Sequence, residues 1–327
     1  MRNRLFRTPA GFVEAILATF ICFSAAIAAA GAANVDNNIS AAEKWRASDP
    51  TGPVAPGAKL QLLGTGFEWT EGATSDNEGN VYFVDQPNDR IMKWSIDGKI
   101  TTWMQPSGYS NGMCFDNAGV NIISCADEKN ELWEIAPDRH VTILVDGYYN
   151  GKHLNGPNDV WIRPDGGMYL TDPFYKRTWW KDRSMSPEQP VQGVYFLSPD
   201  RKTLKLVIDD MVAPNGIIGP PDGKTLYVSD IKGGHTYSYT MNPDGSLSNK
   251  KLFYDIGSDG MTIDSDGNIY TTRLSFGIFD KQGKRLEEIP IRCGNCCFGG
   301  RDGHLLFICA DHEVFGLQMK TYRVGPQ

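Results

Sequence analysis

The stretch Asn215-Gly-Ile-Ile-Gly-Pro-Pro-Asp-Gly-Lys-Thr-Leu-Tyr-Val-Ser-Asp230 shows the pattern that decides the fold. A short apolar run, a turn built from Pro, Asp and Gly, and a second apolar run predict a β-hairpin. A polar residue, Asn215, stands at the start of the hairpin, eight positions before the turn glycine Gly223. The hairpin is one copy of a longer internal repeat.

The spacing between a polar residue and a turn glycine occurs six times along the chain. The six pairs are Glu71/Gly79, Asn111/Gly119, Asn158/Gly166, Asn215/Gly223, Asp259/Gly267 and Asn295/Gly303. Successive glycines are 40, 47, 57, 44 and 36 residues apart, which is the length of four short antiparallel strands with their turns. The sequence therefore predicts an all-β protein, a six-bladed β-propeller.

The polar residues of the repeat share a chemistry as well as a position. Equivalent positions of successive blades lie at the same height around the axis, so these six side chains should form a ring of two carboxylates and four amides. Oxygen donors of this kind suit Ca²⁺, and the ring predicts a central metal site. Zn²⁺ or Mg²⁺ are alternative occupants. The competing interpretation is that Asn and Asp only cap turns before each hairpin.

The N-terminal segment differs from the repeat. Arg2, Arg4 and Arg7 precede an apolar run and a small-residue stretch ending near Ala33, which is the order of a secretory signal peptide over residues 1–33. An uncleaved membrane anchor is the alternative. Residues 34–55 are predicted to be a flexible lead, and residues 56–327 a single propeller domain. The protein is then periplasmic or secreted, with no membrane association after cleavage.

Charge and cysteine content narrow the class of partner and the chemistry. The net charge of −7 and the lack of a basic run argue against nucleic acid and favour a small molecule. Six cysteines follow the signal segment, an even number that is compatible with disulfides. Pairing within the second and sixth hairpins and buried thiols are both open, and the connectivity is not fixed by the sequence. The six are Cys114, Cys125, Cys293, Cys296, Cys297 and Cys309.

Several stretches resemble the senescence marker protein (regucalcin)/gluconolactonase family, which is related to the diisopropyl fluorophosphatases. They are Glu71-Gly72, Asn155-Gly-Pro-Asn158-Asp159 with Asp172-Pro173, Pro214-Asn215-Gly216 and Ser258-Asp259-Gly260-Met261. The resemblance implies a six-bladed propeller with axial calcium, held by Glu71, Asn158, Asn215 and Asp259. Asn111 is assigned to the substrate side, and Asn295 is left as structural.

The resemblance also implies a metal-dependent lactonase acting on a sugar-type lactone such as gluconolactone. The metal would polarise the carbonyl while a carboxylate activates water. Asp259 is the first candidate for that base and Glu71 the second, although a carboxylate bound to a cation is a weak base. His153, near Asn158, is a further candidate for substrate binding.

A long insertion follows the third hairpin and contains Phe174-Tyr-Lys-Arg-Thr-Trp-Trp-Lys-Asp-Arg183. Aromatic faces suit sugar rings and basic groups pair with hydroxyls or carboxylates, so Tyr175 is a candidate for substrate binding. The alternative is a surface loop packed on its blade.

Three other functions remain open on the sequence alone. The same site would serve another esterase or a phosphotriesterase, or calcium would be structural in a non-catalytic binding module. An oxidoreductase using Cys296 and Cys297 would need a cofactor site that the sequence does not show. The substrate, the physiological metal, and the choice between a monomer and a small homo-oligomer are not set by these patterns.

Overall fold

The computed structural model describes residues 38–180 and 183–325. The predicted signal peptide lies outside the described residues. No helix within these two ranges is long and apolar enough to cross a membrane.

Six four-stranded antiparallel sheets make up the structure, and in the first five the strands follow one another in chain order. The first strand in the chain, β1 (Gln61–Thr65), precedes the first blade and belongs to the sixth sheet. The first blade has β2 (Thr70–Ser75), β3 (Val81–Asp85), β4 (Arg90–Trp94) and β5 (Ile100–Met104). The second has β6 (Ser110–Phe115), β7 (Ile122–Ala126), β8 (Glu131–Ile135) and β9 (Val141–Val145). A short hairpin of β10 (Tyr148–Tyr149) and β11 (Lys152–His153) leads to the third blade.

The remaining blades repeat the arrangement. The third has β12 (Val160–Ile162), β13 (Met168–Asp172), β14 (Gln192–Leu197) and β15 (Leu204–Met211). The fourth has β16 (Pro214–Ile218), β17 (Thr225–Asp230), β18 (His235–Met241) and β19 (Leu247–Tyr254). The fifth has β20 (Met261–Ile263), β21 (Ile269–Thr271), β22 (Phe276–Phe279) and β23 (Arg285–Ile289). The sixth has β24 (Asn295–Gly299), β25 (Leu305–Ala310) and β26 (Glu313–Gln318). One-turn 3₁₀ helices at Gln86–Asn88 and Asp127–Lys129 follow β3 and β7.

The blades close into a ring in two ways. The first strands of the six blades each contact the first strands of both neighbouring blades, so these strands surround a central axis. The sixth sheet is completed by β1, which pairs antiparallel with β26 and joins the start of the domain to its end. The predicted six-bladed β-propeller is confirmed. Apolar side chains between neighbouring sheets form the core, as in the cluster that contains Trp161, Ile217 and Met261.

The turn glycines of the repeat are required by the local backbone. Gly79 has a φ of 88°, a conformation that residues with a Cβ rarely adopt. A Cβ at Gly79 would also overlap the carbonyl of Gly300 in the neighbouring sixth blade. The turn glycine of the first blade therefore permits both the hairpin turn and close packing between blades.

The segment before β1 differs from the prediction of a flexible lead over residues 34–55. From residue 38 onward it is packed: residues 38–44 form a helix, and Ala42 and Trp45 are buried in the core of the fifth and sixth blades. The indole of Trp45 donates a hydrogen bond of 3.1 Å to the carbonyl of Glu288. Burial of these side chains holds the segment against the blades.

The six cysteines of the described residues are all free and buried. Strand register explains why the hairpin pairs do not form, since Cys114 lies opposite Ile123 and Cys125 opposite Leu132. In the sixth blade, Cys297 lies opposite Phe307. The structure contradicts pairing within the hairpins and agrees with the buried-thiol alternative.

Candidate axial site

The ring residues predicted from the repeat stand at one end of the first strands. Asn111 and Asn215 lie near the starts of β6 and β16, and Asp259 lies two residues before β20. Glu71, Asn111, Asn158, Asn215 and Asn295 are buried, whereas Asp259 is partly exposed. The ring is therefore enclosed by the blades and reaches solvent at Asp259.

Backbone hydrogen bonds between blades hold the ring together. The amide of Gly112 donates to the carbonyl of Asn158 at 2.6 Å, and the amide of Gly260 donates to the carbonyl of Gly294 at 2.7 Å. Each of these bonds joins the start of one first strand to the next blade. The glycine after Glu71 has a φ of 57°, and a Cβ there would overlap the Asn111 carbonyl. Small residues beside the ring thus allow the blades to approach closely.

The two ring carboxylates, Glu71 and Asp259, interact with each other across the axis. Burial raises the pKa of Glu71 well above its ordinary value, and repulsion from the charge of Asp259 raises it further. Asp259 is partly exposed, but the protein around its carboxyl group excludes enough water to raise its pKa, while Arg177 and a hydrogen bond from Asn215 act in the opposite direction. Two acidic groups that repel each other in this way resist joint ionisation unless a cation compensates their charge.

A third carboxyl, Asp159, borders the pair. Its side chain accepts hydrogen bonds from the backbone amides of Val160 at 2.9 Å and Ile217 at 3.3 Å. Burial raises its pKa to about 7, and its charge contributes to the raised pKa of Glu71. Sequence reasoning quoted this residue in a motif but assigned it no role. Its position directly after the ring residue Asn158 was the one sequence feature that could have indicated a place at the site.

Tyr175, in the insertion of the third blade, reaches the ring. Its hydroxyl accepts a hydrogen bond of 3.0 Å from the side-chain amide of Asn215. Burial, and then the nearby charge of Asp259, raise the pKa of this phenol. The structure therefore places Tyr175 together with the predicted metal-binding residues.

The other candidate residues lie in different surroundings. His153 is partly exposed, and its imidazole pairs with Glu188 at 2.9 Å beside a pocket outside the ring. Asn111 occupies its ring position in β6. The side chain of Asn295 accepts a hydrogen bond of 2.7 Å from the amide of Cys296.

The ring offers oxygen donors to a cation. Within the described ranges, no three His, Cys, Asp or Glu side chains are grouped to hold a metal ion. The predicted set contains only two carboxylates, with the amides of Asn158 and Asn215. A Cβ at Gly294 would overlap the Glu71 carboxylate, so the glycine leaves room for that group at the axis. The raised pKa values and this cradle fit a hard cation bound by oxygen donors.

Arg177 lies near the ring, although sequence reasoning assigned it no individual role. Its guanidinium lies 4.7 Å from the ring centre of Tyr175, and its Nε lies 3.6 Å from Asp127 Oδ2. Its charge lowers the pKa of Asp259 and of Glu71. In the sequence, Arg177 is only one of several basic residues in the aromatic insertion of the third blade.

The fold and these residues define a class: a six-bladed β-propeller with a buried, carboxylate-containing polar centre at one end of its axis. Residues 69–312 match the model of the SMP-30/gluconolactonase/LRE-like region. The chain belongs to this family, as the resemblance predicted.

Individual relatives agree with the assignment. The chain is 30% identical over 295 residues to a gluconolactonase of Zymomonas mobilis, covering 80% of this chain and 82% of the relative. A solved gluconolactonase structure from Xanthomonas campestris has a TM-score of 0.75 at 25% identity, covering 84% of this chain and 96% of that one. The calcium-binding protein regucalcin from Agrobacterium tumefaciens has a TM-score of 0.66, covering 84% and 97%. At 18% identity, that last likeness shows the fold alone.

Proposed function

We propose that this protein is a lactonase that hydrolyses a sugar-type lactone such as gluconolactone at the axial site, with a divalent cation, Ca²⁺ by preference, bound there. Membership of the family and its similarity to gluconolactonases support lactone hydrolysis. The observation that supports the axial site is the electrostatic interaction of Glu71 with Asp259 among the buried amide side chains of the ring.

Different side chains of the axial site would bind the cation and accept a proton during hydrolysis. Glu71, Asn158, Asn215 and Asp259 would hold the cation through oxygen atoms. A cation bound there supplies Lewis acidity toward the lactone carbonyl. Because Asp259 is the partly exposed member of the ring, its carboxylate is the first candidate to accept the proton of the attacking water. Glu71 is buried and is the second candidate.

Other side chains would position the substrate. Tyr175 contacts Asn215 and is partly exposed, so its side chain would border a lactone bound at the site. Asn111 would offer its amide from the neighbouring ring position. His153 would contact only a substrate that extends beyond the ring, because it pairs with Glu188 outside it.

The expected partner is a small lactone and not a macromolecule. We propose that the protein is exported to the periplasm or secreted after removal of residues 1–33, on the grounds of the N-terminal sequence pattern. It would then work as a monomer or a small homo-oligomer.

The test is hydrolysis of glucono-δ-lactone by purified residues 34–327 in a pH-indicator assay. We expect activity that EDTA removes and added Ca²⁺ restores. A matched assay with Mg²⁺ and with Zn²⁺ identifies the preferred ion. Absence of activity on several lactones by a Ca²⁺-loaded protein would contradict the proposal and favour another ester substrate.

A further inference from the structure

Four basic residues stand on loops at the ring end of four successive blades. Arg177 follows β13, Lys232 follows β17, Arg273 follows β21 and Arg292 precedes β24. In these sheets the end of the second strand lies beside the start of the first, as the pairing of Met261 with Thr271 shows. Strand register therefore brings the four residues to the end of the propeller where the axial site reaches solvent. These four residues form the basic mouth of the site.

Two members of the basic mouth are organised by Tyr175. The Arg177 guanidinium lies 4.7 Å and the Lys232 ammonium 5.3 Å from the centre of the Tyr175 ring. The tyrosine is itself fixed to the site by its hydrogen bond with Asn215. The positive charges of Arg177 and Lys232 are therefore held beside the proposed substrate position.

The other two members act on the same site from the fifth and sixth blades. Arg273 follows the end of β21, which lies beside the start of β20 and so near Asp259, and its carbonyl accepts a hydrogen bond of 2.9 Å from the amide of Cys293, the residue after Arg292. Arg292 also lies 5.1 Å from the ring centre of Trp69, two residues before Glu71 in the sequence. Positive charge thus borders the axial carboxylates from several sides.

Nearby carboxylates neutralise this charge only in part. Asp311 lies 3.5 Å from Arg292, and Asp127 is closer to Arg183, at 3.1 Å, than to Arg177. Within residues 38–180 and 183–325, neither Lys232 nor Arg273 forms an ion pair. Once a cation occupies Glu71 and Asp259, the mouth has excess positive charge in a chain whose net charge is −7. Such a local field attracts anions.

We propose that the basic mouth selects a lactone that carries a free carboxylate, the lactone of a sugar diacid, over its neutral counterpart. This inference rests on the proposed function. The free carboxylate of the substrate, at the end far from the lactone ester, would pair with Arg through two hydrogen bonds or with the charge of Lys. The same side chains would hold the dianionic product that forms when water adds to the carbonyl and the ring C–O bond breaks, with one proton of the water going to the ring oxygen and the other to solvent.

The test compares D-glucaro-γ-lactone with D-glucono-γ-lactone, which differ by a carboxylate in place of a terminal hydroxymethyl group. We expect kcat/KM to be at least about tenfold higher for the charged lactone, a preference that added NaCl reduces. In the Lys232→Gln/Arg273→Gln double variant, kcat/KM for the charged lactone should fall about tenfold or more. The value of kcat/KM for the neutral lactone should fall much less. The matched control is Lys250→Gln/Arg285→Gln, which changes one basic residue on each of the same two blades. These two residues lie outside the mouth and form ion pairs with Asp210 and Glu288.

Two results would overturn the inference: equal kcat/KM for the two lactones in the unmodified protein, or equal losses on both in the mouth variant. Calorimetric binding of D-glucarate and D-gluconate to the Ca²⁺-loaded protein separates this inference from the proposed function. If neither lactone is hydrolysed, the proposed function fails. Tighter binding of glucarate that the mouth variant abolishes would still support the anion site, and equal binding would refute it.

Discussion

The hydroxyl of Tyr175 accepts a hydrogen bond of 3.0 Å from the side-chain amide of Asn215. Tyr175 belongs to the insertion of the third blade, whereas Asn215 is the ring residue of the fourth. The contact therefore ties a segment outside the repeat to the centre of the repeat. It also orients the Asn215 side chain, whose amide nitrogen is engaged by the phenol.

Replacing Tyr175 with Phe tests this contact. Loss of one hydrogen bond at a partly buried site costs about 1 kcal/mol, so we expect kcat/KM for lactone hydrolysis to fall roughly three- to tenfold. Tyr237→Phe is the control, because Tyr237 also lies under a lysine but on an outer part of the fourth blade. Unchanged kinetics for Tyr175→Phe would mean that the hydroxyl does not organise the site.

Asp172 makes stability depend on pH. It is buried at the end of β13 and accepts hydrogen bonds of 2.8 Å from the backbone amides of Asn155 and Gly156. Burial raises its pKa from 3.8 to about 7. Between these two values the folded protein keeps a proton that the unfolded chain has lost. The contribution of Asp172 to stability therefore falls as pH rises through this window, by on the order of a few kcal/mol.

The measurement is the urea midpoint of unfolding at about pH 5 and about pH 8, for the unmodified protein and for Asp172→Asn. The variant should lose less stability between the two conditions than the unmodified protein. Asp209→Asn, which changes an exposed residue of β15, should behave like the unmodified protein. An unaltered pH dependence in Asp172→Asn would show that this carboxyl ionises normally.

The cysteines provide an independent check on the core. All six of the described cysteines are free and buried, and burial raises the pKa of the Cys114 thiol. A thiol reagent should therefore react slowly with native residues 34–327. After unfolding without reductant it should count six thiols, one for each cysteine. A count of four or fewer would show that a disulfide forms.

The sequence predicted the parts of the structure that the repeat specifies. Each hairpin has its own turn glycine, so the six blades and the ring positions from Glu71 to Asn295 followed from spacing alone. The packed helix before β1 was not predicted, because Ala42 and Trp45 belong to no repeat and their partners lie in the fifth and sixth blades. The role of β1 as the outer strand of the sixth blade was missed for the same reason.

The grouping of the four residues of the basic mouth was not predictable from the sequence, for a different physical reason. Arg177, Lys232, Arg273 and Arg292 stand in different blades and share no motif. They come together only because strand register places the ends of β13, β17 and β21 beside the starts of the first strands. Cysteine spacing alone does not determine the pairing, because it does not reveal the strand register that decides which side chains face one another.

The most direct test of the central claim is a calorimetric titration of Ca²⁺ into metal-free residues 34–327, with lactone hydrolysis assayed on the same samples. The account predicts one bound ion for the unmodified protein and for Asp210→Asn, which alters an exposed carboxylate of β15. Asp259→Asn should lose about 100-fold or more of the activity and bind Ca²⁺ more weakly, with its β-sheet circular dichroism unchanged. Normal Ca²⁺ affinity and normal turnover in Asp259→Asn would contradict the account.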